Sequence, residues 1–446
     1  MTIFSDGILS NVLMSEHSPG HRVRIGLLGC GTVGQAFIAM LHEHGPTIAR
    51  ASGHELEIGR VLVRSIETPR AGVRPEQLTT NPDDVFGDSE LDLIVEVMGG
   101  IDPTADYLRR ALASGIPVVS ANKQLLSRQA PELLALAQDA DTQVRFEASV
   151  CGAIPVIKVL RESLLAAEIS AVTGIVNGTT NYILTEMSRT GMSYEDALAT
   201  AQALGYAEAD PSEDVGGADA AAKMAILASI AFHTNVRFDD VPYEGIDRLS
   251  AEDIELAGDL GYTIKLLGVA KLTDGGVSVR VHPALIPHEH RLAAVSGPDN
   301  AVLLESVAVR QIMLVGPGAG GTETASAVLA DVLSILGTPN RGFLQNALTD
   351  AGRPLRDPDL TSSAFYVRLR VSDRPGVLAQ IASVFAEAEI SIGSVIQQGE
   401  GDAARLVLVT HETQERRMNT AISAIRDVTD VRGEPVVVRV LTKENA

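Results

Sequence analysis

Between Leu204 and Ala225 the chain reads LGYAEADPSEDVGGADAAAKMA, which gathers five carboxylates and a lysine into one short stretch. Glu208, Asp210, Glu213 and Asp214 surround Pro211, a composition that makes turns. From Gly216 the residues become Ala-rich and helical, so Asp219 and Lys223 fall one turn apart on one helix face. Carboxylates beside an amine can bind a small ammonium-bearing substrate and move a proton. A solvated acidic loop followed by an ordinary helical ion pair would look the same in isolation. The choice between the two depends on what the rest of the chain brings to these residues.

The first such partner is near the N-terminus. Val23 to Gly29 is a short apolar run of buried-strand type, and it leads into Gly29-Cys30-Gly31-Thr32-Val33-Gly34 and then the helical pattern QAFIAMLHEH. Between a strand and a helix this spacing predicts a dinucleotide site. Gly29 allows the tight turn, Gly31 lets the backbone approach a pyrophosphate, and Gly34 lets helix and strand pack closely. The start of the helix, at Thr32 and Val33, supplies N–H donors to the phosphates. The next strand, Leu56 to Val63, ends at Arg64, which suits the 2′-phosphate of NADP better than the free hydroxyl of NAD. Glu67 offsets some of that positive charge, so NAD stays open. Two further strand ends, at Met98-Gly99-Gly100 and at Ser120-Ala121-Asn122-Lys123, lie where open α/β sheets bind ligands. Lysine is disfavoured at a positive helix N-terminus, which gives Lys123 another task.

Composition narrows the function. The chain has 446 residues, enough for two or three domains, with 36 basic against 57 acidic side chains and a formal net charge of −21. Such a field repels nucleic acid and anionic membranes. Only two cysteines occur, Cys30 and Cys151, which points to a reducing, cytoplasmic setting and offers no metal-finger spacing. No apolar run is long enough to span a bilayer, and residues 1–20 lack the pattern of a secretory signal, reading instead as a mobile extension.

Strands and helices alternate through residue 150, with apolar strands, a helix from Pro103 to Ser114 and a strand from Gln143 to Val150. That pattern indicates a doubly wound parallel sheet over residues 21–150. Cys151, between this strand and a helical run, has the placement of a thiolate nucleophile but no His with motif support as its base. Residues 151–319 read as an inserted α+β substrate and dimerisation domain. Within it, a strand from Ile169 meets Asn177-Gly178-Thr179-Thr180-Asn181, where a threonine can cap the next helix and the same corner can take a carboxylate. A hairpin turns at Asp274-Gly275-Gly276. A second glycine corner around Gly320 opens a helix over 320–344 that completes the first domain. Residues 345–362 have linker composition, and 363–446 follow a βαββαβ order, the ferredoxin-like fold, as a separate unit. Its Asp373-Arg374-Pro375-Gly376-Val377 turn offers main-chain donors to an amino-acid carboxylate.

With these residues together, the chain resembles homoserine dehydrogenases that carry a C-terminal ACT domain. The resemblance runs from Arg22 onward and rests on GLLGCGTVG, SANK at Ser120 to Lys123, EASVCGAIP from Glu147, NGTTNYIL from Asn177 and, above all, LGYAEADPSEDVGGADAAAK. It implies reversible NAD(P)-dependent interconversion of L-homoserine and L-aspartate 4-semialdehyde, in threonine, methionine and isoleucine biosynthesis. It implies Lys223 as proton donor or acceptor, with Lys123 as a second lysine at the site. Glu208 and Asp219 become ligands of the substrate ammonium, with Asp214 and Thr179 close by. The cofactor positions are Gly29, Gly31, Thr32, Val33, Gly34, Arg64, Gly99, Ser120, Lys123 and Gly320. The resemblance also implies a sodium or potassium ion on the main-chain oxygens of Glu147, Val150, Gly152 and Ile154. L-Threonine is implied as effector at Asp373, Gly376 and Val377, and a dimer or tetramer as the assembly. Two rival functions remain: a phosphorylating semialdehyde dehydrogenase using Cys151, and a non-catalytic NADP-binding amino-acid sensor.

Overall fold

The computed structural model describes residues 21–337, 352–399 and 404–441. The expected extension over 1–20, the end of the helix over 338–344 and the first part of the linker lie outside them.

The first domain is a parallel sheet of β1 (His21–Leu28), β2 (His54–Leu62), β3 (Leu78–Thr79), β4 (Leu93–Glu96), β5 (Val118–Ser120) and β6 (Val144–Arg145), in the order β3-β2-β1-β4-β5-β6. The order reverses between β1 and β4, which leaves a crevice at their carboxyl ends, where such sheets bind ligands. The helices are α1 (Thr32–Ser52), the one-turn α2 (Asp83–Phe86), α3 (Thr104–Ala113) and α4 (Lys123–Asp139). Ile25, Leu27 and Val95 of the strands are sealed beneath Phe37 and Ile38 of α1 and Val328 and Val332 of a later helix. That helix, α11 (Gly321–Gly337), returns after the insertion to share one face of the sheet with α1.

The strand expected over Gln143 to Val150 stops at Arg145, and a one-turn helix over Glu147–Ser149 takes its place. Hydrogen bonding explains the break. The Glu147 N–H donates to the Asp331 carboxylate at 2.7 Å, while the Glu147 carboxylate accepts from the N–H groups of Ile157 and Lys158, both at 2.8 Å. The chain is thereby drawn out of the sheet toward α11 and the start of α5 (Val156–Lys158). Cys151 and Gly152 complete the exit with left-handed φ angles of 56° and 55°.

The insertion contributes β7 (Ile169–Ile175), α6 (Gly178–Thr190), α7 (Tyr194–Ala203), α8 (Ser212–Val215), α9 (Ala218–Phe232) and α10 (Ala251–Asp259). It continues with the hairpin of β8 (Tyr262–Thr273) and β9 (Gly276–Pro287), then β10 (Asp299–Ser306) and β11 (Arg310–Pro317), before α11 (Gly321–Gly337). α8 is a single turn inside the acid-rich stretch, where composition pointed only to a loop. α9 is apolar on nearly every face and buried throughout, packed on β7, β8 and β9. The two charges it carries inward, Asp219 and Lys223, therefore need partners.

The C-terminal unit has the expected order: β12 (Ser362–Val371), α12 (Val377–Glu387), β13 (Ile392–Gln398), β14 (Ala404–Thr410), the two-residue β15 (Thr413–Gln414), α13 (Glu415–Arg426) and β16 (Val431–Val440). It is not structurally separate. β16 pairs parallel with β9 through Arg439 opposite Ala284 and Val440 opposite Leu285, so one ten-stranded mixed sheet runs through both units. The open face of β12 also docks on α10, where Arg368 donates to Asp253 at 2.5 and 3.1 Å in a buried pair. The last part of the expected linker is likewise fixed: Val277 donates to the Pro354 carbonyl at 2.9 Å, and Arg356 N–H to that of Val277 at 2.8 Å.

Candidate active site

A cleft of about 790 Å³ opens between the crevice of the first sheet and the N-terminus of α9. Its walls include Val33, Met98, Lys123, Asp214, Lys223 and Gly318, which come from both domains.

At one end, Gly29 holds φ +97°, and a Cβ there would come within 2.8 Å of the Val97 carbonyl oxygen. A Cβ on Gly34 would come within 2.6 Å of the Gly29 carbonyl oxygen, whereas nothing lies within 4 Å of the equivalent point on Gly31. Two glycines are thus required by packing, and the third leaves an open approach to the backbone. α1 starts at Thr32 and Val33 with no side-chain cap and no acid in its first turn, which leaves its N–H donors to an outside anion. Arg64 is exposed just past the end of β2, and Gly320, with φ +141°, immediately precedes α11.

Glu96, at the end of β4, is a cofactor-side residue that sequence reading missed. It is fully buried and accepts from Met98 N–H at 2.8 Å, Gly99 N–H at 3.2 Å and the Ser120 hydroxyl at 2.6 Å. Burial raises its pKa above the ordinary carboxyl value, against the pull of these donors. Ser120 also accepts from Asn122 N–H at 3.1 Å, so its hydroxyl fixes the strand ends. Glu96 thereby ties the Gly99 turn to the end of β5. Glu96→Ala is expected to raise the Kd for the reduced dinucleotide about tenfold or more, since two loop N–H groups lose their acceptor at roughly 1–3 kcal/mol. Glu96→Gln, which keeps one acceptor oxygen, should recover most of that affinity. Fluorescence titration of the bound nicotinamide would measure both.

At the other end, the sequence pair Asp219 and Lys223 is an ion pair of 2.7 Å, with Asp219 nearly sealed from solvent. Lys123, the first residue of α4, reaches across from the first domain to the second oxygen of Asp219. Its burial pulls the pKa down, but the charges of Asp219, Asp214 and Glu213 outweigh that and hold it above the usual lysine value. Asp219 shows the reverse balance. Burial favours its neutral form, yet Lys223, Lys123 and a hydrogen bond from Asn177 hold it well below the usual carboxylate range. Lys223 also donates to the Val176 carbonyl at 2.8 Å. With two of three ammonium hydrogens so engaged, one remains for a substrate oxygen.

Asn177 is the second residue missed by sequence reading. Its amide nitrogen donates to Asp214 at 2.7 Å and to Asp219 at 2.9 Å, while its oxygen caps α6 by accepting from Thr180 N–H at 2.8 Å. The helix cap and the spacing of the two acids are therefore set by one side chain. Asp214 has its pKa raised by burial and by the charge of Asp219. Its other oxygen is 3.4 Å from the Thr179 hydroxyl, which itself donates to the Tyr206 carbonyl at 2.7 Å. Glu208 is exposed on the cleft rim, Asp210 closes a turn onto Ser212 N–H at 3.2 Å, and Glu213 accepts from Gln124 of α4 at 3.0 Å across the domain boundary.

Cys151 touches the cleft but is fully buried, and burial pushes its thiol up to about 12, which removes the thiolate a nucleophile requires. Around it, Glu147, Val150, Gly152 and Ile154 are all buried. Among the described residues no group of three or more His, Cys, Asp or Glu is arranged to hold a metal. The Glu147 carboxylate is spent on α5, so any cation here would rest on main-chain oxygens, the donor type a hard monovalent ion takes. In the C-terminal unit, Asp373 accepts from Gln397 at 2.9 Å, Gly376 holds φ +93° before an uncapped α12, and Val377 is buried beneath it.

Residues 29–147 match the NAD-binding domain of homoserine dehydrogenase, residues 155–333 the homoserine dehydrogenase family, and residues 365–430 the ACT domain. The chain is 44% identical to the homoserine dehydrogenase of Corynebacterium glutamicum over 94% of its own length and 96% of the relative's. A crystal structure of a homoserine dehydrogenase from Thiobacillus denitrificans superposes with a TM-score of 0.89 at 40% identity, covering 94% of this chain and 98% of that one. A hyperthermophilic archaeal homoserine dehydrogenase, solved in complex with NADPH, superposes at 0.61 with 28% identity, over 72% of this chain and 99% of that one. No helix among the described residues is long and apolar enough to cross a membrane. A dinucleotide crevice facing a lysine-aspartate cluster, in a chain matched along nearly its whole length, places this protein in the homoserine dehydrogenase family as an oxidoreductase with a nicotinamide-binding domain and a C-terminal ACT domain.

Proposed function

We propose that hydride transfer between L-homoserine and L-aspartate 4-semialdehyde takes place in the cleft beside α9, with Lys223 as the group that gives or takes the proton of the reacting oxygen. The observation that carries this is the placement of one lysine, anchored by Asp219 and Val176, on the wall shared with the dinucleotide crevice. In reduction, the Lys223 ammonium donates to the aldehyde oxygen as charge develops on it, and in oxidation the neutral amine takes the hydroxyl proton. Glu208 and Asp214, on the cleft wall, take the substrate ammonium with Thr179 beside Asp214, while Asp219, sealed from solvent, holds the two lysines in place. Lys123 holds the far side of Asp219 and closes the two domains over the substrate.

The residues that would hold the dinucleotide are Gly29, Gly31, Thr32, Val33 and Gly34 at the pyrophosphate. Gly99, Ser120, Lys123 and Gly320 lie along the nicotinamide side, with Arg64 at the adenosine ribose. When bound, the cofactor supplies or accepts the hydride. Arg64, and the NADPH complex of the archaeal relative, favour NADP over NAD. A sodium or potassium ion on the main-chain oxygens of Glu147, Val150, Gly152 and Ile154 would hold the 147–154 turn. The protein works in the cytoplasm as a homo-oligomer. Assembly is favoured by the two edges of the long sheet, β11 and β13, which expose Val315 and Val395.

The ACT unit makes the activity responsive to L-threonine, through the Asp373, Gly376 and Val377 turn. Dinucleotide reduction by L-homoserine, followed by absorbance with NADP and with NAD, tests the whole reading. Turnover should be more efficient with NADP. L-Threonine should inhibit, and Asp373→Ala should raise the threonine concentration needed about tenfold, the scale of one lost charged contact. No turnover with either cofactor would remove the cleft assignment, and equal inhibition of both proteins would remove the effector assignment.

A further inference from the structure

The acid-rich segment from Leu204 to Asp214 forms an arch along one side of the catalytic cleft, which Glu208, Asp210, Ser212, Glu213 and Asp214 line. Both feet of the arch stand on the inserted domain. At the first, Tyr206 N–H donates to the Ala201 carbonyl at 2.9 Å, and Gln202 Nε2 donates to the Glu208 carbonyl at 3.0 Å. At the second, Ile246 N–H donates to the Val215 carbonyl at 2.9 Å, and a Cβ on Gly245 would come within 2.2 Å of that same oxygen. The crown between them carries four carboxylates, of which Glu208, Asp210 and Glu213 are exposed. Like charges gathered so closely repel one another. α8, within the crown, is a single turn and too short to hold its own direction. Its orientation must come from tertiary contacts.

Those contacts grip α8 from two sides. On the inside, Asn177 donates to Asp214 at 2.7 Å. On the outside, the preceding residue, Glu213, accepts from Gln124 Nε2 on both oxygens, at 3.0 and 3.3 Å. Gln124 directly follows Lys123, whose ammonium meets Asp219 of α9. Two consecutive residues at the start of α4 thus hold both acid-bearing helices of the insertion in register with the dinucleotide crevice. The residue type fits this task, since a cation at position 124 would repel a substrate ammonium, whereas an amide fixes Glu213 without adding charge.

We propose that Gln124 and Glu213 are positioning residues for the homoserine reaction: their hydrogen bond sets the angle of α8, and with it the place of Glu208 and Asp214 against the substrate ammonium. Neither side chain meets the reacting atoms. The inference rests on the cleft assignment above and extends it to what spaces the two acids.

The test is steady-state homoserine oxidation at saturating dinucleotide by Gln124→Ala, Glu213→Ala and the double variant. KM for L-homoserine should rise about fivefold in each, the size of one exposed hydrogen bond, with the double variant no worse than either single one. kcat should change less than KM, because the bonds from Lys223 to Asp219 and Val176 are untouched. Glu213→Gln, which keeps an acceptor oxygen for Gln124, should recover most of the loss. Amide hydrogen exchange over residues 204–214, which requires no turnover, should be faster in Gln124→Ala than in the unsubstituted protein. An unaltered KM or unaltered exchange in Gln124→Ala would overturn the inference. So would a Glu213→Gln as impaired as Glu213→Ala, which would place the effect in the charge and not in the bond. In all these outcomes the unsubstituted protein still oxidises homoserine, whereas its failure to do so would remove the cleft assignment and this inference with it.

Discussion

Lys223→Ala is expected to lower kcat for homoserine oxidation by about a thousandfold, within the range lost when a positioned acid or base is removed. The change should fall on kcat more than on KM, because Lys223 meets the substrate oxygen whose proton moves and not the ammonium that anchors it. The site should otherwise persist. Asp219 keeps Lys123 and Asn177 as partners, and the main new defect is the Val176 carbonyl, which loses its donor at a cost of about 1–3 kcal/mol. Dinucleotide binding should therefore be unchanged, which separates a chemical role for the lysine from a structural one. Were Lys123 the proton carrier instead, Lys123→Ala would show the large loss and Lys223→Ala would keep most of its turnover.

Asp219→Ala is expected to have the largest effect on stability. It leaves two ammonium groups facing each other with no charge between them, in a site where Asp219 is almost sealed and Lys223 nearly so. Breaking a buried pair costs about 3–5 kcal/mol, and the lower end applies here because Lys123 keeps a third of its side chain in solvent. Chemical denaturation measures this directly. The loss also depends on pH, with a definite sign. Asp219 is depressed in the folded state, so its contribution is complete above its unfolded value of about 4 and disappears as pH falls toward the folded value. The stability gap between the unsubstituted protein and Asp219→Asn should accordingly narrow as pH drops from about 5 to about 2.

What the sequence disclosed about this site follows a physical rule. Gly29, Gly31 and Gly34 were legible because a strand, a tight turn and a helix leave their marks within a dozen residues. Asp219 and Lys223 were legible because one helical turn separates them. Glu96 and Asn177 were not. Glu96 reads as one more residue of an apolar strand, and its task exists only because β5 brings Ser120 beside it. A threonine reads as the cap of α6, whereas it is Asn177 that caps it, by accepting from Thr180 N–H. Its second role arises only where α8 and α9 deliver Asp214 and Asp219 to the same amide. The ACT unit was legible as a fold from its order of strands and helices, but its union with the substrate domain was not. The pairing of Arg439 with Ala284 joins segments far apart in the chain, and nothing local in either announces it. The strand that ended early at Arg145 failed for the same reason, since Asp331 and the start of α5 draw Glu147 away from the sheet.

The central claim is that the Lys223 amine carries the proton of the reacting oxygen, and restoring an amine to the vacated space tests it most directly. In Lys223→Ala, added methylamine should raise the rate of homoserine oxidation in proportion to its concentration, with no such effect on the unsubstituted protein or on Lys123→Ala. Turnover in Lys223→Ala close to the unsubstituted rate before any amine is added would contradict the account.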